Sequence, residues 1–142
     1  MPPNEAGKPI SILIADDDVA IRTMIRQILA HEGYDVTVVN DGSEAVKKIP
    51  EVMPDLILTD VKMPNMDGYQ VCQAVKGNPA LKQDWYNDPK SGEPVDFITF
   101  ARTEGRFARH FDAQGQPDES LKQAQQGRLE NWRLLQELAG VR

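Results

Sequence analysis

The sequence contains one cysteine, two histidines and no long apolar run, and each of these shortages excludes a class of protein. The single cysteine, Cys72, cannot form a disulfide within the chain and cannot hold an iron–sulfur cluster, so we expect a reducing compartment. No apolar run approaches the roughly 18 residues of a membrane span, and residues 1–9 lack the apolar segment of a signal peptide. These absences predict a cytoplasmic protein with a disordered N-terminus over residues 1–9 and no membrane partner.

Positive charge is also scarce, since 16 lysines and arginines stand against 22 acidic residues, which gives a net charge of −6. This balance argues against a general nucleic-acid-binding surface, and we expect no nucleic-acid partner. The sequence also has no glycine-rich phosphate loop and no Ser/His/Asp arrangement. With 142 residues, of which 40% are hydrophobic, the chain is long enough for one domain with a buried core.

The first half of the chain alternates between short apolar runs and apolar residues at helical spacing. Strands are predicted over residues 10–15, 34–39 and 56–59, and helices between Asp18 and Gly33, over residues 43–49 with an exit bounded by Pro50 and Pro54, and over residues 69–76. Three strand–helix units with short connections predict a parallel sheet in a doubly wound α/β fold.

Three acidic residues stand at the predicted carboxyl ends of these strands. Asp16 and Asp17 follow the first strand, and Asp60 follows the third. If the strand order is 2-1-3, the first and third strands are neighbours and the three carboxylates meet in one crevice. Two carboxylates about 4 Å apart repel by roughly 4 kcal/mol at an effective dielectric constant near 20. The cluster therefore needs a cation or a proton on one member, and oxygen ligands of this kind suit Mg²⁺.

A structural role is the alternative for each acid taken alone. An aspartate at a strand-to-helix junction is often a helix N-cap, and Asp18 is predicted to be one. Capping does not explain Asp60, because no helix is predicted to begin until after Asp67.

The segments ILIADDD and LILTDVKMPNMDGYQV resemble the receiver domain of two-component response regulators, and the resemblance covers residues 10–82. It implies a flavodoxin-like sheet in which Asp60 accepts a phosphoryl group from a histidine kinase. It also implies that Asp16, Asp17, Asp60 and the backbone carbonyl of Lys62 hold Mg²⁺.

The function implied by this resemblance is phosphorelay signalling rather than enzymatic turnover, apart from slow self-dephosphorylation. The implied partners are a histidine kinase or phosphotransfer protein and a downstream protein, and a dimer is one expected assembly. Two alternatives stay open at this point. One is a degenerate receiver that binds partners without being phosphorylated. The other is a phosphatase, suggested by Asp16 and Asp18, although Ala20 stands where that motif requires Thr or Ser.

Residues 83–142 form an atypical C-terminal part, since the composition changes near residue 82. A full receiver ends its fourth strand in Ser or Thr and its fifth in Lys. By this resemblance, residues 94–101 are a fourth strand that ends in Thr99, and residues 115–122 are a fifth strand that ends in Lys122. The alternative is an ordinary strand residue at Thr99 and a solvated helix residue at Lys122, within an amphipathic helix over residues 119–139.

A second resemblance covers residues 85–142, where YNDPKSGEP, FARTEGRF and AQQGRLENWRLLQELAG are similar to the C-terminal segment of pyruvate:ferredoxin oxidoreductase-type enzymes. It implies an accessory segment of a ferredoxin-dependent 2-oxoacid oxidoreductase, used for docking or packing. In either case the third strand needs a neighbour, because an uncovered sheet edge promotes aggregation. We expect residues 95–122 or another chain to cover it.

Overall fold

The computed structural model describes residues 9–79, 97–101, 108–110, 112–113, 117–125, 134 and 137. They form a mixed α/β fold with helices on both faces of one sheet. The elements are β1 (Ser11–Ala15), α1 (Val19–His31), β2 (Asp35–Val39), α2 (Gly42–Val52), β3 (Leu56–Asp60), α3 (Gly68–Gly77), β4 (Phe97–Ala101), a 3₁₀ turn (Ala108–His110) and α4 (Glu119–Gln125). The three predicted strand–helix units are confirmed. Among these described residues, no helix is long and apolar enough to cross a membrane.

The sheet has the strand order β2-β1-β3-β4. β1 pairs in parallel with both β2 and β3, so the predicted order 2-1-3 is confirmed. In this register Ala15 lies beside Val39 and Thr59. The carboxyl ends of the three parallel strands therefore meet at one edge of the sheet, which is where a ligand site is expected in this architecture.

β4 covers the outer side of β3, but it runs antiparallel to it. The prediction that a fourth strand ends in Thr99 is therefore wrong. The strand continues to Ala101, and Thr99 lies at its centre, opposite Leu58. Because the strand direction is reversed, Phe97 rather than the carboxyl end of β4 lies beside Asp60.

The predicted fifth strand over residues 115–122 is also wrong, because its last residues belong to α4. Leu121 is fully buried and Lys122 is exposed. A strand and a helix both allow one side chain to be buried while its neighbour stays in water, and here the backbone of Glu119–Gln125 is helical. The predicted helix over residues 119–139 is confirmed for residues 119–125, and most of the remainder lies outside the described residues.

The strands alternate between two cores, as side chains on a pleated strand must. One core lies between the sheet, α1 and α4; its buried members are Ile10, Ile12, Ile14, Ile25, Leu29, Tyr34, Leu56, Leu58 and Leu121. The other lies under α2 and α3; its buried members are Leu13, Ala15, Val39, Ala45, Ile49, Ile57, Val71, Cys72, Val75 and Ile98. The two cores therefore cover both faces of the parallel strands whose ends carry the acidic residues.

One predicted helix end differs from the structure. Pro50 was expected to bound the second helix, but α2 continues through it to Val52. A proline in the last turn sacrifices a single backbone hydrogen bond, and Met53 then ends the helix in the left-handed conformation with a φ of 48°. The domain division proposed at residue 82 stays a prediction, because residues 80–96 lie outside the described part of the chain.

Candidate metal and phosphoryl-acceptor site

The structure brings the three predicted acidic residues together at the carboxyl edge of the sheet. Asp16, Asp17 and Asp60 each offer a carboxylate oxygen, and these oxygens all lie within 4.8 Å of one another. Asp16 and Asp60 are only 3% and 7% exposed, whereas Asp17 is exposed. The cluster is therefore anchored in the fold on one side and open to solvent on the other.

In the turn between β1 and α1, one aspartate caps the helix and the other two belong to the acidic cluster. Asp18 is the N-cap of α1, and its side chain accepts hydrogen bonds from the backbone N–H groups of Ala20 and Ile21. The N–H of Asp18 donates to the Asp16 carboxylate at 2.9 Å, and the Arg22 guanidinium donates to the Asp16 carbonyl at 2.9 Å. Since Asp18 satisfies the helix end, Asp16 and Asp17 are not needed as caps.

Asp60 ends β3 and is held on its backbone and its side chain. The N–H of Val61 donates to the Asp60 carboxylate at 3.0 Å, and the Thr59 hydroxyl donates to the Asp60 carbonyl at 3.0 Å. A Cβ placed on Gly68 would lie 2.5 Å from that same carbonyl oxygen. The start of α3 thus approaches Asp60 so closely that only glycine fits there.

The loop between β3 and α3, residues 61–67, turns sharply around the site. Asn65 has a φ of 71°, a left-handed conformation that asparagine tolerates. The N–H of Gly68 donates to the Val61 carbonyl at 2.8 Å and closes the loop at its base. Asp67 then caps α3 in a reciprocal pair with Gln70. Lys62 lies in this loop with its side chain exposed, and the role of its carbonyl as a metal ligand stays a prediction.

One residue near the site, Asp41, is not among the residues predicted from the sequence. Asp41 is the N-cap of α2, and its second carboxylate oxygen accepts a hydrogen bond from the Asn65 amide at 3.1 Å. The backbone N–H of Glu44, and then the Ser43 hydroxyl and Asn65, hold the pKa of Asp41 below its ordinary value against a smaller opposing effect of burial. An Asp-Gly pair before a helix signals the cap, but the contact with Asn65 depends on tertiary structure.

The charges at the site favour a hard cation. At a separation of 4.8 Å, the upper limit for these oxygens, two carboxylates repel by roughly 3 kcal/mol at an effective dielectric constant near 20. The three offer only oxygen ligands, and Asp17 faces solvent that can complete a coordination shell. This donor set fits Mg²⁺ better than zinc, which prefers nitrogen and sulfur ligands.

The two predicted switch residues do not reach this edge in the way the sequence suggested. Thr99 is fully buried beside Leu58, two strand positions from the residue that pairs with Asp60. Lys122 lies on the exposed side of α4. The switch role was predicted because both residues were expected to end strands, and neither does. It stays a prediction for either residue.

Known proteins resemble the half of the chain that builds this site. The family model described as "Response regulator receiver domain" matches residues 12–84. The DNA-binding response regulator MtrA of Mycolicibacterium smegmatis is 39% identical over 88 residues, which cover 62% of this chain and 33% of MtrA.

Two solved structures share the fold. A putative response regulator from Chloroflexus aurantiacus superposes with a TM-score of 0.50 and 37% identity, over 54% of this chain and 62% of that one. The receiver domain of the sensor histidine kinase PA1611 from Pseudomonas aeruginosa, solved with magnesium coordinated in its active-site cleft, gives a TM-score of 0.50 and 31% identity, over 53% and 62% of the two chains.

The matches cover only part of each known protein. The chain spans about a third of the length of the curated relative and about three-fifths of the solved receiver chains. The predicted resemblance of residues 85–142 to pyruvate:ferredoxin oxidoreductase-type enzymes is not supported by these comparisons. The flavodoxin-like fold, the acidic edge and the family match agree, and the chain belongs to the response regulator receiver domain family.

Proposed function

We propose that this receiver accepts a phosphoryl group on Asp60 in a Mg²⁺-dependent reaction and thereby switches a surface that binds another protein. The observation that carries the proposal is the convergence of Asp16, Asp17 and Asp60 within 4.8 Å. Asp16 and Asp60 are buried at the carboxyl ends of two parallel strands, and helix capping requires neither of them, because Asp18 caps α1 and Asp67 caps α3.

The chemistry follows from the charges of the two reactants. An oxygen of Asp60 attacks the phosphorus of a phosphohistidine, a P–O bond forms, the P–N bond breaks, and the imidazole leaves and takes up a proton. Mg²⁺, when bound, would neutralise the negative charge of the phosphoryl oxygens. Asp16 and Asp17 would hold the cation, and the Val61 N–H fixes one Asp60 oxygen so that the carboxylate keeps its orientation.

The donor is proposed to be a histidine kinase or a phosphotransfer protein, and the recipient of the signal a downstream protein. Phosphorylation adds charge and strong hydrogen-bond acceptors beside the loop of residues 61–67. Such a change biases a loop between two arrangements that a partner can distinguish. MtrA is named as a DNA-binding response regulator, but the match covers only a third of that protein. We therefore propose no nucleic-acid partner for this chain.

The decisive experiment treats the full chain with acetyl phosphate, with and without Mg²⁺, and follows the intact mass. We expect an increase of about 80 Da, the mass of a phosphoryl group. The increase should require Mg²⁺, so EDTA added before acetyl phosphate should prevent it. Asp60→Asn should abolish it. Asp67→Asn is the matched control in the same loop, because asparagine still caps α3, and it should be labelled like the wild type.

The possible results separate the proposal from its main alternative. Labelling that persists in Asp60→Asn would place the acceptor elsewhere. If the wild type is never labelled and Asp60→Asn binds the downstream protein unchanged, the chain is a binding module that does not use phosphorylation.

A further inference from the structure

The loop of residues 61–67 is fastened to a second element that does not belong to the acidic cluster. Its apolar residues Met63 and Met66 pack against the core under α2 and α3. Its polar side is held by the bond between the Asn65 amide and the Asp41 carboxylate at 3.1 Å. The loop is therefore held both by apolar packing and by a hydrogen bond to the N-cap of α2, although 24 residues separate Asp41 from Asn65.

Backbone packing shows how close this attachment is. A Cβ on Gly42, the first residue of α2, would collide with the backbone oxygen of Met66. Asn65, directly before Met66, adopts a left-handed conformation that presents its amide to Asp41. The glycine and the left-handed residue together allow the loop to lie directly on the helix start.

Asp41 uses its two carboxylate oxygens for different purposes. One oxygen accepts from the Glu44 N–H and the Ser43 hydroxyl, each at 2.9 Å, and so caps α2. The other accepts from Asn65. A cap needs a single acceptor, which serine or asparagine also supplies, so the second oxygen is available for fastening the loop.

We propose that Asp41 is a positioning residue for the acceptor site, acting through Asn65 to fix the loop that carries the Lys62 carbonyl and adjoins Asp60. The base of the loop transmits this constraint, since Gly68 donates to Val61 and Val61 donates to the Asp60 carboxylate. The catalytic consequence rests on the proposed phosphoryl transfer to Asp60, whereas the fastening of the loop does not.

The experiment compares variants of the full chain that separate capping from fastening. Asp41→Ser keeps a cap and removes the second oxygen. Asn65→Gly removes the amide without a change of charge and tolerates the left-handed backbone. Ser43→Ala is the control, because it removes a bond to Asp41 that does not involve the loop. Two readouts are used: the labelling rate by acetyl phosphate at saturating Mg²⁺, and the hydrogen exchange of the Val61 and Gly68 amides.

We expect Asp41→Ser and Asn65→Gly each to slow labelling about three- to tenfold, the equivalent of one net hydrogen bond, and to speed exchange of both amides. The double variant should be no slower than the slower single variant, because both remove the same bond. Exchanging the partners, Asp41→Asn with Asn65→Asp, restores an amide–carboxylate pair and should recover most of the rate. Ser43→Ala should stay within about twofold of the wild type, as expected for a change that leaves the loop contact intact.

The results distinguish this proposal from the proposed function. Labelling and amide exchange at wild-type values in Asn65→Gly, with Asp60 labelled normally, would overturn the positioning role alone. An unlabelled wild type would overturn the phosphoryl transfer, and the exchange data would still decide whether Asp41 fastens the loop. If Asp41→Ser melts too easily to be measured, Asn65→Gly and the partner exchange decide the question.

Discussion

The backbone carbonyl of Asp60 and the α-carbon of Gly68 are in such close contact that a methyl group on Gly68 would lie 2.5 Å from the carbonyl oxygen. It would also lie 3.2 Å from the Val61 α-carbon. Both neighbours are backbone atoms and cannot rotate away. The distance between α3 and the proposed acceptor is therefore set by the absence of a side chain at Gly68.

Gly68→Ala should displace α3 or the end of β3. We expect the free energy of unfolding to fall by about 1–3 kcal/mol, the usual cost of overpacking, and the rate of Asp60 labelling to fall with it. Gly77→Ala is the control at the other end of α3, where a Cβ meets nothing within 4 Å. It should be neutral or stabilising by up to about 1 kcal/mol. Urea unfolding and intact-mass kinetics measure the two effects, and equal behaviour of both variants would contradict this account.

The acidic cluster predicts a specific pattern of Mg²⁺ affinity. Asp16→Asn and Asp17→Asn each remove one charge from three carboxylates within 4.8 Å of one another. Each variant should therefore bind Mg²⁺ about tenfold more weakly or worse, and a factor of ten corresponds to about 1.4 kcal/mol. Asp18→Asn is the matched control, because asparagine keeps the cap of α1 outside the cluster. Calorimetric titration with Mg²⁺ gives the affinities. If Asp18→Asn loses as much affinity as Asp17→Asn, the cation is not bound specifically by the cluster of Asp16, Asp17 and Asp60.

The acidic edge was predictable because it depends on local patterns. The apolar runs that end in Asp16 and Asp60 define buried parallel strands, and parallel strands bring their carboxyl ends to one edge. The capping role of Asp18 was predictable for the same reason, since a cap acts within four residues of its own position.

The second half was not predictable to the same degree. A short apolar run identifies a strand but contains no information about its direction, so residues 97–101 were correctly read as a strand and wrongly oriented. The order of a buried Leu121 and an exposed Lys122 is compatible with a strand and with a helix. Only the packing of Leu121 in the folded chain decides between the two. The contact between Asp41 and Asn65 needs two loops to meet, which a single sequence does not reveal.

Leu121 should anchor α4 to the sheet. The side chain is fully buried in the core that the sheet shares with α1 and α4, so Leu121→Ala should lower the free energy of unfolding by about 2–5 kcal/mol. Gln123→Ala changes an exposed residue on the same helix and should alter stability by no more than about 0.5 kcal/mol. Both values come from urea unfolding followed by circular dichroism. A small effect of Leu121→Ala would mean that α4 can detach without loss of the core.

Asp118 should make the attachment of α4 dependent on pH. Its carboxylate accepts a hydrogen bond from the Leu121 N–H at 2.9 Å and lies 2.9 Å from Nδ1 of His110. Burial alone raises the pKa of Asp118, but the bonds from Leu121 and His110 together outweigh it and hold the pKa below the ordinary value. A carboxyl with a lowered pKa in the folded state stabilises the fold fully above its ordinary value, and this contribution is lost as the pH falls through the folded value.

We therefore expect the wild type to lose stability as the pH falls below about 4, the ordinary pKa of an aspartate, and Asp118→Asn to lose less there because asparagine caps α4 without titrating. At neutral pH the variant should be less stable by only about 0.5–1 kcal/mol, since 42% of the Asp118 side chain is exposed and solvent screens its charge. Glu119→Gln is the control, because it removes an exposed charge in the first turn of α4 and should leave the pH slope unchanged. Urea unfolding at several pH values measures both slopes. A steeper slope in Asp118→Asn than in the wild type would show that the folded chain raises the pKa of Asp118 instead of lowering it.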